Sequence, residues 1–261
     1  MTLKTTAPAS TLDRVVCGVD GSPESLEAAR QAERLRAPDG ILTVASVAEM
    51  DRAVHAGWAM SDVLYELDAN AREALHRAID EVHPTQTRLL AGDVVPGLLD
   101  EIEQEHATLV AVGPKGHSRA AGMLLGGAAA ELLHNAACSV LLAREPQFGE
   151  FPFSVIAGVD GSPESLAAAA VAREIAERFH SEYLVIAATG GKHVDLEAVH
   201  DLGIDVVTDP GHPVWALSEL SKEADLLVLG SRGLHGLRAL GSVSERVAHR
   251  AMCSVLVVRN S

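Results

Sequence analysis

Short aliphatic runs recur along the first half of the chain, at Arg14 to Val19, Ile41 to Val47, Thr87 to Ala91, Leu109 to Gly113 and Ser139 to Ala143. Runs of this length, bounded by turn residues and lacking polar alternation, read as strands buried on both faces. Between them lie longer segments with helical spacing. The clearest is Ser61 to Val82, where Val63, Leu64, Leu67, Ala71, Leu75 and Ile79 fall on one side of a helix. Strands alternating with helices predict an α/β fold: a parallel, doubly wound sheet with right-handed crossovers and helices on both faces. Ligands of such sheets lie beyond the carboxyl ends of the strands, so residues immediately after a strand carry the functional interest.

The pattern is then repeated. Gly-Val-Asp-Gly-Ser-Pro-Glu-Ser-Leu occurs at Gly18 to Leu26 and, without a change, at Gly158 to Leu166. Ala107 to Gly116 aligns with Ala224 to Gly233, and Cys138 to Arg144 with Cys253 to Arg259. The chain therefore reads as two tandem domains, 1–146 and 147–261, each with a five-stranded sheet, joined through the Pro-containing stretch Glu145 to Phe153. Residues 1–12 are expected to be disordered. The second copy is shorter because its counterpart of the Ser61 to Val82 helix shrinks to Val194 to Leu202. Missing cover on an aliphatic sheet predicts an exposed patch there and a site for self-association.

Composition narrows the function classes. Hydrophobic residues make up 48% and aromatics 3%, which suits helices packed on a sheet of small aliphatic side chains. With 36 acidic against 21 basic residues the formal charge is −15, which repels nucleic acid and anionic membrane surfaces. No apolar run is long enough to span a bilayer, and Met1 to Leu12 lacks a secretory core, so a cytoplasmic protein is expected. The three cysteines, Cys17, Cys138 and Cys253, lie in or beside strand-like runs and read as buried thiols.

Candidate chemistry sits at two places in each copy. Asp20 and Asp160 end the first strand, followed by Gly21 or Gly161 for a tight turn. Ser22 and Ser162 are natural N-caps, Pro23 and Pro163 suit the first helical position, and Glu24 and Glu164 complement the helix dipole. This leaves the aspartates either to brace the loop or to meet a ligand. After the fourth strand, copy one has Gly113-Pro114-Lys115-Gly116, a nine-residue spacer and Gly126-Gly127. Copy two has Gly230-Ser231-Arg232-Gly233, a spacer two residues shorter, then Gly241-Ser242-Val243-Ser244. Glycines let backbone approach a ligand, and the amides of the helix that follows attract phosphate. Ser242 and Glu245 also form a capping box. Lys115 and His235 could meet phosphate or be solvated loop residues. No Walker-type phosphate loop, nucleophile elbow or zinc-binding His-Glu-x-x-His pair is present.

Asp at the first strand tip, then Gly-x-x-Gly, a nine-residue spacer and Gly-Ser/Thr, resembles the ATP signature of the universal stress protein family, twice over and across nearly the whole chain. The resemblance implies a Rossmann-like five-stranded fold and pairing of domains through the last strand, here Ser139 to Ala143 and Ser254 to Val258. It also implies a non-catalytic stress-response role, a possible homodimer, and ATP or a related adenine nucleotide as ligand, with Mg possible alongside it. The adenine would lie near Val47 in copy one, with Asp20, Gly113, Gly116, Gly126 and Gly127 around the nucleotide. The matching positions in copy two are Asp160, Gly161, Gly230, Gly233, Gly241, Ser242 and Ser244. Both copies depart from the signature: Gly127 stands where a hydroxyl is expected, and copy two has the short spacer. The alternative is a nucleotide-free scaffold with both sites degenerate; slow hydrolysis ranks last for want of a general base. The retained hydroxyls favour copy two as the binding half, since a lost charge-assisted hydrogen bond is worth about 1.5–3 kcal/mol.

Overall fold

The computed structural model describes residues 11–49, 61–116, 125–191, 194–200, 205–231 and 242–259, with the side chains of 61 and 62 left aside. The first half runs β1 (Arg14–Gly18), α1 (Pro23–Leu35), β2 (Ile41–Ala48), α2 (Ser61–Glu81), β3 (Gln86–Ala91), α3 (Val94–Gln104), β4 (Leu109–Val112), α4 (Gly127–Asn135) and β5 (Ser139–Leu142). The second runs β6 (Ser154–Gly158), α5 (Pro163–Phe179), β7 (Glu182–Ala188), α6 (Leu196–His200), β8 (Val207–Asp209), α7 (Pro213–Leu220), β9 (Leu226–Ser231), α8 (Val243–Ala248) and β10 (Ser254–Arg259). Each aliphatic run named above is a strand, and the strands of each half pair in parallel.

The strands form one ten-stranded sheet in the order β3-β2-β1-β4-β5-β10-β9-β6-β7-β8. Its only antiparallel junction among the described residues is β5 with β10, in the register Val255↔Leu142, Leu256↔Leu141 and Val257↔Val140. Because side chains alternate across a strand, Leu141 and Leu256 enter the core on one face, and Val140, Leu142, Val255 and Val257 enter the core on the other. Each face therefore carries one apolar layer that continues from half to half. On the first face, Ala28, Ala29 and Ala32 of α1 and Ala168, Ala169 and Ala172 of α5 are fully buried. Such small side chains let helix backbones lie close to the sheet.

Polar groups also join the two halves. Gln31 of α1, 1% exposed, donates from Nε2 to Glu27 Oε1 and to the Arg144 carbonyl, both at 2.7 Å, and its Oε1 accepts from Ser254 Oγ at 2.7 Å. At the far end of α1, Arg178 of α5 donates to the Leu35 and Arg34 carbonyls at 2.9 and 3.2 Å. These contacts satisfy orphaned carbonyls at a helix C-terminus with a cation, which the dipole favours.

Ordered chain reaches back to Leu12, which is 2% exposed in the core and accepts from the Ala37 amide at 2.9 Å; residues 1–10 lie outside the described set. The shortened helix of the second half is α6, a single short segment. It still covers part of the sheet, since Val199 is fully buried, while Val207 on the edge strand β8 stays 52% exposed. Among the described residues no helix is long and apolar enough to cross a membrane.

The three thiols are buried, and burial pushes Cys17 and Cys253 up to about 12 and Cys138 up to about 11. At pH 8 the folded protein should therefore resist thiol-alkylating reagent, with all three cysteines reacting only after denaturation; labelling of the native state at the rate of a free thiol would contradict the burial. Replacing Gln31 by Ala should cost about 1–3 kcal/mol in urea unfolding, because three buried hydrogen bonds are lost at the seam and Ser254 keeps only its longer contact to the Arg144 carbonyl, at 3.1 Å. An unchanged midpoint would mean that the Gln31 network contributes nothing to holding the halves together.

Candidate functional site

The chain order of the strands reverses direction at β1, which has β2 on one side and β4 on the other. The loops leaving the carboxyl ends of β1 and β4 therefore diverge to opposite faces and open a crevice between them. The same reversal occurs at β6, between β7 and β9. Asp20 and Asp160 lie at these two switch points.

The identical motif folds identically. Asp20 Oδ1 accepts from the Ser22 amide at 3.0 Å and from Ser22 Oγ at 2.5 Å; Asp160 Oδ1 accepts from the Ser162 amide at 3.0 Å and Ser162 Oγ at 2.6 Å. Ser22 and Ser162 in turn accept from the Ser25 and Ser165 amides at 3.2 and 3.3 Å, capping α1 and α5. Gly21 and Gly161 take φ of +82° and +83°, which a side chain would resist. One oxygen of each aspartate is thus committed to the turn, and both residues remain exposed at the mouth of the crevice.

The glycines of the second loop divide into two kinds. A Cβ on Gly113 would come within 2.8 Å of the Glu24 carbonyl carbon, and one on Gly230 within 2.5 Å of the Glu164 carbonyl carbon. These first glycines meet the opening turns of α1 and α5, so helix packing by itself accounts for their lack of a side chain. Gly116 is different. It lies against the Asp20 carboxylate, where a Cβ would collide with Oδ2. The Gly126 amide donates to the Pro114 carbonyl at 2.6 Å, closing the loop beside Lys115, and Gly127 faces open space. Helix α4 begins at Gly127 with Gly126 as N-cap and no side-chain capping bond. Asp20, Lys115, Gly116, Gly126 and Gly127 are therefore brought to one crevice. Val47, half-buried near the end of β2, pairs with Leu90 at the same end of the sheet.

In the second half, Gly233, His235 and Gly241 lie outside the described residues. Ser242 caps α8, accepting from the Glu245 amide at 3.2 Å, and its hydroxyl also bonds the buried Ser244 hydroxyl at 3.2 Å. The capping box anticipated from Ser-x-x-Glu is therefore formed on its Ser side. Two further residues distinguish the halves, and no motif marked either. Arg77 of α2 donates to the Gly21 carbonyl at 2.9 Å, placing a cation over the first-half turn. At the corresponding turn of the second half, the Asp195 amide donates to the Asp160 carbonyl at 3.0 Å, and its backbone presses on Gly161. Among the described residues, no cluster of three His, Cys, Asp or Glu side chains is arranged to hold a metal ion.

Comparison with known proteins agrees with this architecture. A sequence model described as the universal stress protein family matches residues 11–144 and 192–259. A universal stress protein of Mycobacterium tuberculosis strain H37Rv is 31% identical over 292 residues, spanning 95% of this chain and 97% of its own length. One from Mycolicibacterium smegmatis is 29% identical, with 94% and 96% covered. The crystal structure of a universal stress protein from Archaeoglobus fulgidus superposes with a TM-score of 0.74 over 95% of this chain and 97% of that one, at 21% identity, which speaks to the fold. With the family match covering both halves and tandem relatives matching from end to end, this chain belongs to the universal stress protein family.

Proposed function

We propose that this chain is a nucleotide-responsive stress protein that binds ATP or a related adenine nucleotide in its first half and acts by changing conformation or association, without turnover. The observation that carries the reading is the start of α4: an uncapped, glycine-opened helix held by the Gly126 to Pro114 hydrogen bond beside the Asp20 turn. First-turn amides without a side-chain cap leave the positive end of the helix to an anion. Lys115 and Arg77 add cationic charge on the same crevice in a protein whose formal charge is −15. A Mg ion would arrive with the phosphates as their counter-charge.

The retained hydroxyls pointed to the second half, and two features weigh the other way. There the helix start is already capped by Ser242, and Asp195 brings an acidic residue and its backbone onto the Asp160 turn. A hydroxyl offers one donor, whereas the uncapped helix start of the first half offers several amides with their dipole. The scaffold alternative draws its support from the β5–β10 seam, which joins the halves whether or not a ligand is present.

Titration of the full chain with ATP should show one site, weakened strongly by Asp20→Ala and left unchanged by Ser242→Ala; the reverse order of effects would move the site to the second half. Gly127→Asp supplies a sharper test. A carboxylate at the start of α4 enters open space and favours the helix dipole, so folding stability should hold or rise by up to about 1 kcal/mol. ATP affinity should nevertheless fall about tenfold or more through charge repulsion. Equal ATP affinity in Gly127→Asp and parent would exclude phosphate binding at α4, and a parent that takes up no nucleotide leaves the scaffold reading.

A further inference from the structure

Arg144, just beyond β5, and Arg259, the final residue of β10, reach across the seam in a reciprocal way. The Arg144 amide donates to Ser254 Oγ at 2.9 Å, and the Arg259 amide to Ser139 Oγ at 3.1 Å. Their guanidinium groups then reach the helix that precedes the other half's last strand. Arg144 donates through Nη2 to the Ala248 carbonyl at 2.7 Å and through Nη1 to the Cys253 carbonyl at 3.0 Å. Arg259, 8% exposed, donates through Nη2 to the Leu133 carbonyl and through Nη1 to the Ala136 carbonyl. Leu133 and Ala248 are equivalent in the repeat, so each arginine grips the same point of the opposite half.

We infer that Arg259, supplied by the second half, is a positioning residue for the ligand-facing helix α4 of the first half. The inference rests on the first-half site proposed above. Helix α4 is only about 13 Å long at 1.5 Å per residue, with its open end at Gly127 and its other end at Asn135. Its C-terminal carbonyls would otherwise be orphans, and Arg259 supplies both the hydrogen bonds and the positive charge that such an end favours. A short helix fixed at one end by a buried cation cannot shift along its axis without breaking those bonds. The amides at its start are therefore held in place by a residue that the first half does not contain. The two arginines are alike as parts of the seam and differ in which helix they hold, and that difference separates positioning from general stability.

The test uses the full chain and the variants Arg259→Met, Arg259→Lys and Arg144→Met, at a temperature where each is folded. Without nucleotide, Arg259→Met should speed amide hydrogen exchange in residues 128–136 while leaving 155–159 and 183–188 near the parent. Arg144→Met should speed exchange at 243–249 instead. With ATP, Arg259→Met should weaken binding roughly fivefold or more, the lower end of ordinary coupling between sites. Arg259→Lys should recover part of that loss, and Arg144→Met should bind as the parent does. Unchanged exchange in α4 overturns the inference, as does an equal loss of affinity in the Arg259→Met and Arg144→Met variants, which would mark a seam-wide effect. Should Arg259→Met fail to fold, the same comparison is read from Arg259→Lys. If the parent binds no ATP, the proposed site fails, and the exchange pattern still decides whether Arg259 holds α4.

Discussion

The antiparallel pairing of β5 with β10 is the constraint on which the remaining architecture depends. Each strand is aliphatic on both faces and would be a sheet edge in an isolated half, presenting unpaired amides and carbonyls that invite aggregation. Paired, they turn two five-stranded sheets into one and make the apolar layers on both faces continuous across the junction. They also bring Ser139 and Ser254 to the amides of Arg259 and Arg144, so that the strand ends are tied by side chains as well as by the ladder.

Against that near-symmetric seam, the halves have diverged in what they place over their switch points. The first half retains the long helix α2, whose Ala74 lies 3.4 Å from a Cβ built on Gly21 and whose Arg77 holds the carbonyl of that glycine. The second half has the short α6 and draws the backbone of Asp195 onto its turn instead. The seam network has diverged in the same way: Gln31 joins Arg144 to Ser254, while Val171 occupies the matching position of α5. One identical nine-residue motif is thus set in two different electrostatic surroundings. Such divergence is open to a tandem chain, because each copy can change while the pairing strands preserve the whole.

Much of the fold was legible in the sequence because its causes are local or repeated. Runs such as Leu109 to Gly113 are apolar on both faces, which is what a central parallel strand requires, and the repeated Asp-Gly-Ser-Pro-Glu motif encodes its turn, cap and first helical residue within five positions. The recurrence of order and spacing then gave the tandem organisation, which the family match to both halves bears out. Capping by Ser22, Ser162 and Ser242 was likewise readable, since a cap reaches only two or three residues along the chain.

What only the tertiary structure decided involves partners far apart in sequence. That Gly113 and Gly230 abut the first turns of α1 and α5 depends on how close each strand comes to its helix, a distance no spacing encodes. Arg77 and Asp195 belong to no repeated motif, and Arg144 and Arg259 close one that does not reveal their partners; each acquires its place from a backbone carbonyl contributed by a distant segment. A carbonyl is present in every residue, so the sequence cannot mark which one a cation will find; packing alone selects it.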